Sequence, residues 1–247
     1  MMQFEVVRND ISNMTVDAMV LPSNPKLKEG RGTSKAIFEK AGRKNLEKAC
    51  EIALEKYGNI YVGGAIPTLA YNLDAKFIIH AVVPKWVDGK HQEYEKLSTA
   101  YLSTLELADV MSCESIAFPL LASGNNGFDL GIAFEIAKES VQSFFPSNKL
   151  KKVIIVLYGA KTVVIARNQG IAVEEIIDDS YILRKEHSQY LPEQRVRNDG
   201  KNIAGKFLKD GLQMAKDYLD EPENRKKMIA GGIAIAKIAI DTVKKMI

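Results

Sequence analysis

Ser115-Ile116-Ala117-Phe118-Pro119-Leu120-Leu121-Ala122-Ser123-Gly124-Asn125-Asn126-Gly127-Phe128-Asp129-Leu130 joins a short apolar run to the start of a helical pattern. The run 115–118 has the continuous hydrophobic character of a strand covered on both faces. From Leu130 onward the spacing is that of a helix. Between them, Leu121 to Phe128 is a connection of small and amide residues, a composition suited to a nest of backbone amides that holds an anion. Taken alone such a connection is more often a simple turn, so its meaning depends on the surrounding sequence.

Working outward, the same alternation continues on both sides. Strands are expected at 4–7, 18–21, 65–69, 77–83, 115–118 and 153–157, and helices at 34–56 with a break near Gly42, 93–110, 130–145 and 162–169. This order predicts a central, mostly parallel or mixed sheet with helices on both faces. Ligands in such sheets sit outside the carboxyl ends of strands, where loops enter helix N-termini. A second loop of this kind follows Leu21. It runs through Pro22-Ser23-Asn24 and Glu29-Gly30-Arg31-Gly32-Thr33-Ser34, where glycines allow close backbone approach and a helix start supplies unpaired amides.

The 247 residues suffice for one α/β domain plus an appendage. Composition is that of a soluble globular chain, 46% hydrophobic and 26% charged. The net charge of +3 is spread through mixed-sign segments, so no nucleic-acid footprint is indicated, whereas a small anionic ligand is compatible with it. Only Cys50 and Cys113 occur, which argues against a disulfide framework and fits a reducing compartment. No metal site or cofactor is expected. Phe4-Glu5-Val6-Val7 reads as a strand rather than a signal peptide, and the expected location is cytoplasmic.

Three segments resemble the macro domain family, across residues 3–168. They are Asn9-Asp10-Ile11 with Val16-Asp17-Ala18-Met19-Val20, then Thr68-Leu69-Ala70-Tyr71-Asn72-Leu73 with 76–84, then Ser115 to Pro119 with Ser123-Gly124 and Gly127-Phe128. The resemblance implies a three-layer α/β/α fold with a central mixed sheet over residues 1–170, with 171–247 a helical C-terminal extension. It also implies an ADP-ribose site. Asp10, followed by Ile11, matches the acidic residue that accepts from the adenine amino group, a task for an acceptor-only carboxylate. Read without the resemblance, it is a turn or helix cap. Asn24 matches the asparagine facing the distal ribose, against an Asx-turn before Pro25. Tyr158 matches an aromatic position near the adenine, against simple half-buried packing. Gly30, Arg31, Gly32, Thr33 and Ser34 form the first phosphate loop, and Ser123, Gly124, Asn125, Asn126, Gly127 and Phe128 form the second. His80, inside an apolar run, is expected to be a hydrogen-bonded core residue, and Trp86 a loop anchor.

The sequence also departs from the family pattern. Arg31 interrupts the glycine run. Asn126 stands where an aromatic usually covers the distal ribose. Ser34 stands where one large catalytic subgroup has an aspartate, and it lacks the basicity to activate water; its plainer role is to cap the helix. Asn24 and Asp129 remain the catalytic candidates, Asp129 reading first as the cap of the Leu130 helix. The expectation is therefore a reader of ADP-ribose or a derivative, free or on a protein. The alternatives are a mono-ADP-ribosyl-protein hydrolase or O-acetyl-ADP-ribose deacetylase with a non-standard catalytic residue, and a scaffold with a degenerate site. Beyond residue 170, 171–184 reads as amphipathic and 202–219 and 224–247 as helices. The last carries an isoleucine-rich stripe but is interrupted by Lys237 and Asp241, so it is no membrane span. Its expected seat is the domain, its neighbouring helix, a second copy of the chain or a partner protein.

Overall fold

The structure, a computed structural model, describes residues 2–146 and 148–188 together with Gln213, Asp217, Asp220 and Glu221. The strands are β1 (Gln3–Arg8), β2 (Val16–Ser23), β3 (Ala65–Leu69), β4 (Ala75–Val82), β5 (Ser115–Pro119), β6 (Lys152–Leu157) and β7 (Glu174–Glu175). The helices are α1 (Thr33–Ala41), α2 (Arg43–Tyr57), α3 (Glu93–Val110), α4 (Leu130–Gln142), α5 (Ala160–Asn168) and α6 (Asp179–Ser188), with a 3-10 turn at Ile11–Asn13. The break at Gly42 is real: its φ of 97° is a left-handed conformation that favours glycine, and it separates α1 from α2.

One seven-stranded sheet runs in the order β3-β4-β2-β5-β6-β1-β7. Only the β3–β4 pair is antiparallel; β4, β2, β5, β6, β1 and β7 are parallel. Crossing from β2 to β4 moves toward one edge, and crossing from β4 to β5 and on to β6 moves toward the other. Right-handed crossovers therefore put α1 and α2 on one face and α3 and α4 on the opposite one. The packing agrees, with α1 against α2 and β2, and α3 against α4. Central strands are inaccessible on both sides, as at Met19, Val20, Ile78, Ile79, Ile116 and Phe118. This is the expected three-layer mixed sheet with helices.

The stretch expected as one amphipathic segment at 171–184 divides instead. Glu174 and Glu175 pair with Val7 and Arg8 as β7, and a helix begins only at Asp179. Two glutamates have little strand propensity; what holds them is Arg8, buried in β1 and donating to Glu175 at 2.8 Å. The helices expected at 202–219 and 224–247 lie outside the described residues apart from Gln213, Asp217 and Asp220, which are helical. Among the described residues no helix is long and apolar enough to cross a membrane.

Candidate functional site

Parallel strands β2, β5, β6 and β1 are neighbours, so their carboxyl ends lie along one edge of the sheet. Three inter-strand spacings separate the end of β2 from that of β1, about 14 Å in all. Each strand end delivers one group of candidate residues to this edge.

At the end of β1, Asp10 is nearly inaccessible and caps the 3-10 turn: its Oδ1 accepts from the Ser12 amide at 3.0 Å and the Ser12 hydroxyl at 2.8 Å. Its Oδ2 accepts from the Tyr181 hydroxyl at 3.3 Å and from Lys185, both on α6. Burial alone would push this carboxyl up, but Lys185 and Ser12 hold it below the usual carboxylate range. Ile11 is buried beside it. Asn13 joins the same cluster, donating to the Tyr181 hydroxyl and accepting from Lys40. Burial lowers the Lys40 ammonium. Ser12, Asn13, Lys40, Tyr181 and Lys185 border an open cleft of about 560 Å³.

At the end of β6, Tyr158 is 38% exposed. Burial first, then the nearby Asp10, Tyr181 and Glu186, push its hydroxyl up to about 12, so it is a donor at neutral pH. Arg8 lies between the two strand ends. It donates to the Tyr158 carbonyl at 3.4 Å, to Glu175 and to Asp179, and so ties β7 and the start of α6 to β1.

At the end of β2, Asn24 is exposed and closes its own loop. Its Oδ1 accepts from the amides of Lys26 (3.1 Å) and Lys28 (3.3 Å), and its Nδ2 donates to the Lys28 carbonyl at 2.7 Å. Gly30, Arg31 and Gly32 are exposed. Gly32, with φ 60° and ψ −123°, turns the chain into α1 without a side-chain cap, leaving first-turn amides for solvent or a ligand. Ser34 therefore does not cap the helix as expected, because the left-handed turn puts the cap position on Gly32. Ser34 lies one residue after Thr33, which opens α1, and its hydroxyl accepts from the Gly30 amide at 2.9 Å, bracing the glycine loop.

At the end of β5, the loop folds on itself. Gly127 N donates to Gly124 O (3.0 Å), Phe128 N to Ala122 O (3.3 Å) and the Ser123 hydroxyl to Leu120 O (2.7 Å). Ala122 and Gly127 take left-handed φ of 60° and 79°. Gly124 and Asn125 are exposed, and a Cβ on Gly124 would meet nothing within 4 Å. Beneath, Phe128 is buried and meets the edge of Trp86 at 5.2 Å, while the Trp86 amide donates to Asn126 O at 2.7 Å. Trp86 is thus the loop anchor. Asp129 caps α4, its Oδ1 accepting from the amides of Gly131 (2.9 Å) and Ile132 (3.1 Å).

Two other groups belong to the scaffold. His80 is fully buried between Thr68 (2.9 Å) and Ser23 (3.3 Å), and burial pushes it down to about 3, so it stays neutral. Asp88, His91 and Glu93 bring ligand atoms within 4.8 Å, yet the Glu93 carboxylate is committed to the amides of Val87, Asp88, Gly89 and His91. It closes the loop that carries Trp86.

Sequence reading passed over Arg8, Tyr181 and Lys185. Arg8 left a local signal, a cation inside an apolar strand that demands carboxylate partners. Lys185 left none, since it meets Asp10 across 175 positions.

A family model described as Macro domain matches residues 20–137. A macro domain-containing protein of Listeria monocytogenes is 40% identical over 143 residues, 58% of this chain and 81% of that relative. An O-acetyl-ADP-ribose deacetylase of Escherichia fergusonii is 38% identical over 152 residues, 62% and 85% of the two chains. The solved structure of an Oceanobacillus iheyensis macrodomain with ADP is similar with a TM-score of 0.63 at 30% identity, covering 74% of this chain and 92% of that one.

Proposed function

The chain belongs to the macro domain family, and on that footing we propose that it binds ADP-ribose or a derivative, free or attached to protein, as a reader. The observation that carries this reading is the convergence along one sheet edge of a buried carboxylate with a protonated tyrosine nearby, an uncapped helix start behind a glycine loop, and a second glycine loop. Those are the groups an adenine, a diphosphate and a ribose require. The relatives' names point the same way, toward ADP in the Oceanobacillus structure and O-acetyl-ADP-ribose in the Escherichia enzyme. In this assignment Asp10 and Ile11 take the adenine with Tyr158, Gly30 to Ser34 and Ser123 to Phe128 take the diphosphate, and Asn24 faces the distal ribose. The binding unit is residues 1–170, to whose sheet edge the segment that follows adds β7, and the setting is the cytoplasm.

A reader is favoured over a hydrolase by two side chains. Ser34 offers a hydroxyl already engaged by Gly30, and Asp129 is engaged as a helix cap. Neither is poised to activate water. The deacetylase name of a 38% identical relative keeps hydrolysis as the second reading.

Calorimetric titration with ADP-ribose tests the proposal. Micromolar binding is expected, on the order of −8 kcal/mol. Gly124→Val should abolish it while leaving the circular dichroism unchanged, because the added side chain fills open space above the loop. Absence of binding by the parent chain overturns the reading in favour of a scaffold.

A further inference from the structure

A carboxylate offers about four acceptor positions, and all four at Asp10 are occupied from within the chain. Ser12 fills two on Oδ1, and Tyr181 and Lys185 fill two on Oδ2. Ser12 belongs to the turn that Asp10 caps, so those bonds are integral to the loop. The other two come from α6, a different matter. No residue of α6 whose side chain is described is buried, and its inner positions Tyr181 and Lys185 are only partly covered. Its attachments are polar: Lys185 and Tyr181 on Asp10, Tyr181 on Asn13, and Asp179 on Arg8. A helix docked by few apolar contacts belongs to the low-stability end of local opening. Behind it, the buried Ile177 and the Arg8–Glu175 pair hold β7 to the sheet and supply a fixed point for a hinge. Tyr158 lies near Tyr181 and Glu186 as well as Asp10, so α6 reaches both groups assigned to the adenine.

We propose that α6 is a displaceable cap on the base end of the site, in which Lys185 and Tyr181 hold the Asp10 carboxylate until a nucleotide lifts the helix and takes it. This rests on the ADP-ribose reading above. The ammonium of Lys185 and the amino group of an adenine compete for one acceptor, so ligand affinity is reduced by the free energy of the docked helix. Selection follows from the same competition: a ligand that brings no amino donor to Asp10 has nothing to exchange for Lys185.

Two measurements on the full chain test the cap. In titration with ADP-ribose, Lys185→Met should bind about tenfold more tightly than the parent, the value of one charge-assisted bond removed from the competing state. Lys185→Arg, which keeps the charge, should remain near the parent. In hydrogen exchange, the amides of 179–188 in the parent should exchange faster when the protein is saturated with ADP-ribose. A structural role for Lys185 alone predicts the reverse on both counts. Binding by Lys185→Met that is unchanged or weaker, or protection of α6 that is unchanged or raised on saturation, overturns the cap and leaves the reader standing. If neither parent nor variant binds ADP-ribose, the reader falls and the cap with it.

Discussion

At the scale of single residues, the chemistry turns on what each polar group is already doing. Asp129 spends its carboxylate on two amides at the start of α4. Asp129→Ala should therefore cost about 1 kcal/mol of stability, read as a lower urea midpoint, while Asp129→Asn retains an acceptor and stays near the parent. Acetate release from O-acetyl-ADP-ribose should be at background in all three proteins. Turnover in the parent that disappears in Asp129→Ala would instead make this carboxylate a participant. Ser34→Asp supplies a carboxylate beside the glycine loop and can still accept from the Gly30 amide; a rise in acetate release over the parent is expected. The Asp129 cap was legible because an aspartate directly before a helical pattern has a local use. The bracing role of Ser34 was not, because it depends on the left-handed turn at Gly32 moving the cap two residues upstream.

Elements are positioned by side chains that lie between them. The loop after β4 carries Trp86 to the glycine loop that follows β5, and the Glu93 carboxylate gathers four amides of the first of these loops. Burial pushes this carboxyl up, the backbone bonds outweigh it, and the net result is about 2. A folded value below the unfolded one of about 4.3 stabilises the protein fully above the unfolded value, and that contribution disappears as pH falls through about 2. Glu93→Gln should thus destabilise by about 1–3 kcal/mol at neutral pH, and the gap to the parent in urea unfolding should narrow as pH drops from 4.5 toward 2. A gap that is constant with pH would show that the charge is not what holds the loop. The strands were legible for a different reason: β3 is bounded as expected at 65–69, and 18–21 in β2, 77–79 in β4 and 116–118 in β5 are apolar runs of the kind a sheet covered on both faces carries. β7 was not legible, since Glu174 and Glu175 become a strand only through a distant arginine.

For the whole molecule, the sequence marks the two loops at the strand ends by their glycines but conceals the proposed cap, because nothing near Lys185 indicates Asp10. The final segment is a matter of pattern. Ile229, Ile233, Ala236, Ile240, Val243 and Ile247 recur at the three- and four-residue steps of the helix expected at 224–247, which lies outside the described residues. Removal of residues 223–247 is expected to lower solubility or dissociate an oligomer, measured by light scattering, without loss of ADP-ribose affinity. A truncated chain of equal solubility and the same number of chains per particle would make that stripe dispensable.

The strand order has one more consequence. β1, the first strand of the chain, pairs with β6 near the end of the domain and with β7 beyond it, while β2 to β5 lie on the far side of β6. Arg8 and Tyr158, which meet where β1 and β6 end, are 150 positions apart. At about 5–20 residues per second on the ribosome, the newborn β1 waits on the order of ten seconds for a neighbour. During that interval Val6, Val7 and the edge groups of the strand lack the β6 and β7 partners that they have in the finished sheet. The sheet edge that carries Asp10 and Tyr158 is therefore complete only once β6 has emerged, and termination products that retain both glycine loops but stop before Lys152 are expected to take up no ADP-ribose.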